Sequence, residues 1–524
     1  MEQIAPSIVY IERAMLSRIC SFGLRGVEGY PVTVELDLAN GLPGFTIVGL
    51  PDTAVRESRD RVCAAVRNSG YQFPQRRITV NLAPAQSRKQ GSHFDLPMAL
   101  AVLCASGQLP GGEWTQRYCF AGELALDGGL RPVRGVLAMA AKAKDQGFSG
   151  MIVPLDNAVE AAATGLTAYG AVTLREVADF LAGVPQASLS ASSGAVAEAD
   201  VEMDVDFHDV RGQHLAKRAL EIAAAGGHHV LLVGPPGSGK SMLARRVPTI
   251  LPGLAPEEAM EVTRIHSISQ DRPRAGLISR RPFRAPHHGA SHVALIGGGH
   301  LARPGEVSLA HGGVLFLDEL AEFNRLALES LRQPLEDGKV VIARARETVE
   351  YPARFSLVAA CNLCPCGYRG HPVRACACTP LSVAKYLARL SGPLLDRIDI
   401  QVEVAPVPFE QWAGSGSQAQ EETSSRILAR VEKARRVQRE RFALEGFLVN
   451  AHIPPRDLRR TCALDAAGFK LLAEAAAKFS LSARSLDRVL RVARTIADLD
   501  GQLKVSTPHL AEAMQYRSLE RVRL

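Results

Sequence analysis

The sequence predicts an α/β protein in three parts, and three observations carry that prediction. Residues 7 to about 185 alternate strand-like and helical segments, as a mixed α+β unit does. Near Val230 a short apolar run leads into a glycine-rich loop, and further apolar runs follow at 314–317 and 355–361, which is the pattern of a parallel sheet covered on both faces. From about Ser425 to Leu524 the periodicity is helical throughout.

In the first part, Val32–Leu36 and Ile78–Leu82 alternate like half-buried strands, while Asp52 to Asn68 and Leu96 to Ser106 read as helices. Gly and Pro punctuate the gaps, as in 40–44. These signals place a first domain at 1–185 and an Ala/Ser/Asp/Glu-rich linker at 186–205. The sheet domain then covers 206–407, with a Cys-rich loop at 361–378, and a helical domain covers 408–524. Its start includes a Gly/Ser/Gln-rich stretch, Gly414 to Ser425, read as a loop. No internal repeat is visible.

The 524 residues are 47% hydrophobic and 22% charged, ordinary values for a globular protein with several cores. The net charge of +7 permits an acidic partner without demanding one. No run of about 18 apolar residues is present, so no membrane span is expected. The first residues lack the charged and apolar regions of a secretory signal, and a cytoplasmic, reducing location is expected for the ten cysteines.

The apolar run Val230–Val233 is followed by Gly234, Pro235, Pro236, Gly237, Ser238, Gly239, Lys240 and Ser241. This is G-x-x-x-x-G-K-[ST] between a strand and a helix over 242–247, the setting in which backbone N–H groups close around phosphates. The spacing lets Lys240 reach the β- and γ-phosphates and Ser241 hold Mg²⁺, with the helix directing its positive end at the anion. A second run, Val314–Leu317, ends in Asp318 and Glu319. Asp318 is expected to act on Mg²⁺ and Glu319 to orient the attacking water. The third run, Phe355–Cys361, ends at Asn362, whose amide is placed to hold the same water; a turn cap is the plainer role for such a residue.

Together these motifs resemble a AAA+ ATPase. Pro282–His288, Ala294–Gly299 and Ser391–Asp399 are less usual, and with them the chain is similar to the magnesium-chelatase-like branch, within it the ComM (YifB) family. The likeness runs over nearly the whole chain. Gly44–Pro51 and 81–85 resemble that family's Lon-protease-like domain, of the ribosomal S5 domain 2-like type, and Gln515-Tyr516-Arg517 fits its C-terminal helical lid.

The resemblance implies ATP and Mg²⁺ as cofactors and a homo-hexameric ring. It implies that Arg397, in Leu-Leu-Asp-Arg, is an arginine finger entering the neighbouring subunit's site, and that Arg484 is the sensor arginine of the lid. It further implies that the alternating segment 339–349 is a pore hairpin whose Arg344 and Arg346 touch a DNA backbone, with 284–299 as a second pore loop. The activity implied is branch migration, with helicase action, on single-stranded or branched DNA during natural transformation. A chelatase-type protein remodeller is the alternative, and an ATP-dependent protease a third.

Cys361, Cys364, Cys366, Cys376 and Cys378 put half of all cysteines in one short stretch. Such density in a reducing compartment suits Zn²⁺ held by four thiolates, and Cys364, Cys366, Cys376 and Cys378 are the expected ligands. Cys361 falls inside an apolar strand, His371 is an alternative ligand, and a loop of free thiols is the alternative to a metal.

Lon-type proteolysis needs a Ser activated by a Lys. In 89–96 Phe94 falls where the Ser belongs, Ser92 and Lys89 are off register, and 131–137 lacks the Lys. The first domain is therefore expected to be non-proteolytic, with His93 and Asp95 structural.

Overall fold

The computed structural model describes residues 16–192, 194, 205–269, 276–299, 302–343, 348–371, 373–407, 421–445, 447, 449–479 and 481–517. The chain forms two compact units: Met1–Ala199 with Thr263–Ile278, and Asp200–Val262 with Ser279–Leu524. No sequence signal marks Thr263–Ile278 as part of the first unit. It is tied there by Ser267, whose hydroxyl donates to Glu160 and whose carbonyl accepts from the Gly135 amide at 3.3 Å.

The first unit is Lon-like α+β. Leu16–Arg25, Glu28–Ala39 and Arg77–Ala83 pair antiparallel, and Gly44–Val48 adds to the last of these in parallel. The strands expected at Val32–Leu36 and Ile78–Leu82 are both here. Their inward residues Val34, Leu36, Ile78, Val80 and Leu82 share one core with helix Asp95–Ala105, which packs on Leu16–Arg25 and Glu28–Ala39. That helix is buried from Asp95 to Leu103, so it is apolar all round rather than striped. A second four-stranded sheet runs Ser190–Ser192, Thr167–Ala171, Gly150–Pro154, Tyr118–Phe120.

The second unit is built on a five-stranded parallel sheet in the order Phe283–Arg284, Val314–Leu317, Ser356–Cys361, Val230–Val233, Ile400–Glu403. All three apolar runs of the sequence are strands of it. Val230–Val233 and Val314–Leu317 are buried at every residue, which is why neither alternates. The C-terminal helices Ser424–Arg441, Ala483–Leu499 and Thr507–Gln515 share the sheet's apolar core: Val431, Val492 and Ile496 belong to the same cluster as Val230, Val358 and Ile400.

Polar contacts reinforce this joint. Asp399, just before the edge strand, is an acceptor for Arg488 of helix Ala483–Leu499 and lies 3.2 Å from Nδ1 of His228. The other ring nitrogen of His228 is 2.8 Å from the Thr495 hydroxyl. Burial opposes charge on Asp399, but Arg488 and His228 outweigh it and hold the carboxyl well below the usual range. Burial also takes the neighbouring His229 imidazole down to about 4.

A carboxyl depressed in this way contributes stability above its unfolded value of about 3.9, and loses it as pH falls through the folded value. Asp399→Ala strands two buried donors and is expected to destabilise the second unit by about 3 kcal/mol at neutral pH. The gap from wild type should narrow as pH falls below about 4. Urea unfolding of both proteins at pH 7 and in acid measures both effects.

Candidate functional site

Parallel pairing brings the C-terminal ends of three strands level. Val233 pairs with Cys361 and Leu317 with Ala359, so the loop after Val233, the Asp318–Glu319 pair and Asn362 open on one edge of the sheet. They line a cleft of about 390 Å³ together with Pro236 to Met242.

Gly237 and Gly239 adopt φ of +77° and +92°, a left-handed backbone that residues with a Cβ avoid. A Cβ at Gly234 would lie 2.2 Å from the Val404 carbonyl oxygen, so no side chain fits there either. Lys240 opens helix Lys240–Arg246, and its ammonium donates to the carbonyls of Gly234 and Pro235, both at 2.8 Å, and to Oδ1 of Asn362 at 3.3 Å. Burial pulls that ammonium below its ordinary value, and Asp318 acts against the shift. The Ser241 hydroxyl donates to Asp318 at 2.6 Å. Asp318 also accepts from the Glu319 amide at 2.9 Å.

The fit to a nucleotide can be tested on one atom. The Ser238 hydroxyl is buried in the loop, lines the cleft and has no hydrogen-bond partner. A buried hydroxyl without a partner costs about 1–3 kcal/mol, which a phosphate oxygen in the loop would relieve. The Ser241–Asp318 pair supplies the hydroxyl and carboxylate oxygens that a hard cation such as Mg²⁺ takes.

Two of the expected site residues are elsewhere. Arg397 donates to the Pro393 carbonyl at 2.8 Å and pairs with Glu336. Arg484 is exposed and also acts on the charge of Glu336. Neither lines the cleft of its own chain. The hairpin of Lys339–Ala343 with Thr348–Pro352 is present, but Arg344 and Arg346 lie outside the described residues.

The sequence reading missed His288, whose Nδ1 lies 3.1 Å from Glu319. Its signal was the double histidine after the strand Phe283–Arg284.

The thiols of Cys364, Cys366, Cys376 and Cys378 lie within 4.8 Å of one another. The three separations Cys364–Cys366, Cys366–Cys376 and Cys364–Cys376 are 3.4, 3.6 and 3.6 Å. A zinc tetrahedron with 2.3 Å bonds has edges of about 3.8 Å, so the set fits the ion. The Arg369 amide points at Cys364, as a second-layer donor does, at 3.3 Å. Hydrogen bonds, first from the Tyr368 amide, bring the Cys366 thiol down to about 6, toward the thiolate a metal needs. Cys361 is buried in the sheet and its thiol is pushed up to about 11. His371 spends Nδ1 on the amides of Val373 and Arg374 and is not grouped with the thiols.

In the first unit, Lys89 and Ser92 are directed to different partners. The buried Lys89 amine donates to the Pro84 carbonyl and Ser92 donates to Glu123. Phe94 is core, and burial takes the His93 imidazole to about 4. Asp95 accepts twice from Arg61, at 2.6 and 3.1 Å, and once from the Leu124 amide.

Comparison with known proteins agrees with this architecture. The magnesium chelatase subunit ChlI model matches residues 206–412, its C-terminal model matches 421–517, and a further ChlI model matches 34–157. The competence protein ComM of Haemophilus influenzae is 44% identical over 513 residues, covering 97% of this chain and 98% of that protein. The chain belongs to the ComM/YifB family of magnesium-chelatase-like AAA+ ATPases. The family member YifB of Escherichia coli is likewise 44% identical, over 95% of this chain and 96% of its own. Lon protease 2 of Bacillus subtilis is 30% identical over 158 residues, 26% of each chain, in keeping with the Lon-like first unit. Among the described residues no helix is long and apolar enough to cross a membrane.

The thiol loop also touches the phosphate loop. Gly367 has φ of +82°, and a Cβ there would lie 2.7 and 2.8 Å from Cγ and Cδ of Pro236. Gly367→Ala is expected to displace Pro236 and weaken binding of a fluorescent ATP analogue about tenfold, given a strain near 1–2 kcal/mol. Titration of the purified variant beside wild type gives the ratio.

Proposed function

We propose that the chain is a ring-forming, ATP-driven motor on DNA that carries out branch migration with helicase action. The observation that supports it most is the cleft in which Lys240, Ser241, Asp318, Glu319 and Asn362 converge on one sheet edge. The name of the ComM relative, a competence protein, supports a role on DNA taken up in natural transformation.

In this reading Lys240 exchanges its bonds to loop carbonyls for the β- and γ-phosphate oxygens. Ser241 and Asp318 would hold Mg²⁺, which would supply positive charge against the phosphate oxygens. Glu319 and Asn362 orient the attacking water. The water oxygen bonds to the γ-phosphorus as the bond to the leaving ADP oxygen breaks, and Glu319 receives the proton. Arg397 serves the next subunit's cleft, a role suited to an arginine that stays clear of its own. The ring is taken as a hexamer, and Arg344 and Arg346 follow the DNA backbone through salt-sensitive contacts. Cys364, Cys366, Cys376 and Cys378 would hold Zn²⁺, and a bound ion would fix the shape of the loop that lies against Pro236. The first unit serves subunit contact or substrate binding in the cytoplasm, with Lys89 and Ser92 spent on other partners.

A second reading has a specific observation in its favour: the matched models are those of a chelatase subunit, so the ring would remodel a protein partner instead.

Purified protein is expected to hydrolyse ATP faster with single-stranded, duplex or four-way-junction DNA, and Lys240→Ala to abolish this. Turnover indifferent to every DNA sinks the motor and leaves the remodeller. Elemental analysis should find about one zinc per chain, as expected of a Cys₄ site. The pair Cys376→Ser and Cys378→Ser should lose the metal.

A further inference from the structure

Gln213 stands where two local preferences favour other residues. Its backbone is left-handed, with φ of +56° and ψ of +32°, a conformation that glycine takes freely and a residue with a Cβ resists. It is also the N-cap of helix His214–Gly226. Ser, Thr, Asp or Asn there would bond a free amide of the first turn, and the Gln213 side chain makes no such bond.

The side chain reaches elsewhere. Its Nε2 donates to the Ser238 carbonyl at 3.1 Å and to the Ala405 carbonyl at 2.6 Å. The first belongs to the phosphate loop, and the second lies two residues past the edge strand Ile400–Glu403. Both partners are acceptors, so only the NH₂ end of the amide can face them.

The surroundings of this clamp are held firmly. Beside Ala405, the Val404 amide donates to the Val233 carbonyl at 2.7 Å, which ties the end of the edge strand to the start of the phosphate loop. Behind Gln213, the Gly212 amide donates to Glu421 at 2.7 Å. Lys217, in the first turn of the helix, pairs with the same carboxylate and donates to the Val210 carbonyl.

The Ser238 carbonyl and the Gly239 N–H belong to one planar trans peptide, so they point in opposite directions. Gly239 lines the cleft and Gln213 stands outside it. A carbonyl drawn to Gln213 therefore turns the Gly239 N–H to the cleft side. Gly239, with φ of +92°, has no Cβ to resist rotation of that peptide, so its orientation depends on an anchor.

We propose that Gln213 is a positioning residue for the phosphate loop: by holding the Ser238 carbonyl it keeps the Gly239 N–H aimed at the phosphates of the nucleotide. The proposal rests on the reading of this cleft as a nucleotide site and is independent of DNA.

The test measures the affinity of the full chain for fluorescent analogues of ATP and ADP, beside steady-state ATP turnover, for wild type, Gln213→Gly, Gln213→Glu and Lys240→Ala. Gln213→Gly removes the clamp and eases the left-handed backbone. It should bind both analogues about tenfold more weakly, the strength of one hydrogen bond to a charged acceptor. Gln213→Glu keeps the length but turns carboxylate oxygens on two carbonyls, and should lose more. KM for ATP should rise by the same factor while kcat changes less, since the Gly239 N–H serves bound and reacting phosphates alike. The urea midpoint of nucleotide-free Gln213→Gly should stay near wild type, relief of strain offsetting the two lost bonds. A midpoint that drops in step with affinity gives Gln213 a structural role only and overturns the proposal. Affinities within about twofold of wild type in both Gln213 variants overturn it as well. If Lys240→Ala binds as tightly as wild type, the nucleotide lies elsewhere, and the cleft reading itself falls.

Discussion

The parallel hydrogen bonding of Ser356–Cys361 to the strands on either side of it is the constraint from which the rest of the site follows. This central strand fixes how far Val233 and Leu317 extend before each chain leaves the sheet. Because the three strands run parallel and end on the same side of the sheet, a backbone loop, two carboxylates and an amide face one cleft, where Lys240 meets Asn362 and Ser241 meets Asp318. Val230–Val233 and Val314–Leu317 are buried on both faces and carry no alternation of their own, so their register rests on the hydrogen-bond ladders to this central strand.

How much of this was legible in the sequence depends on how local each signal is. The phosphate loop, the Asp318–Glu319 pair and the Cys-rich loop are contiguous patterns whose chemistry constrains neighbours in the chain, and they could be read directly. So could the strands Glu28–Ala39 and Arg77–Ala83, whose half-burial leaves an alternating trace. The contact of His288 with Glu319 could not. It depends on the register of a two-residue strand, too short to leave any periodicity. The pairing of Arg397 with Glu336 was hidden for a similar reason: the finger motif names the arginine, and nothing near it names the carboxylate. Thr263–Ile278 reads as ordinary chain in the sequence, and three-dimensional contacts such as Ser267's bonds to Glu160 and Gly135 place it with the first unit.

The four-thiol loop was legible as a metal candidate, yet its position was not. Spacing gave the ligands, while the approach of Gly367 to Pro236 emerged only in three dimensions. A loop with little apolar content has few means of holding a fixed shape, and a coordinated ion supplies one. The phosphate loop consequently has a neighbour that carries four clustered thiols.

The apolar cluster shared by the sheet and the C-terminal helices has a mechanical consequence. Val431, Val492 and Ile496 lie in one continuous core with Val230 and Ile400, and Asp399 bridges Arg488 and His228 at its margin. Prising the helices from the sheet would expose that core at about 25 cal/mol for each Å² of apolar surface, a steep toll for every turnover. The second unit therefore behaves as a stiff lever arm rather than a hinge. Such a body yields where its packing ends, in the loops that project from the sheet.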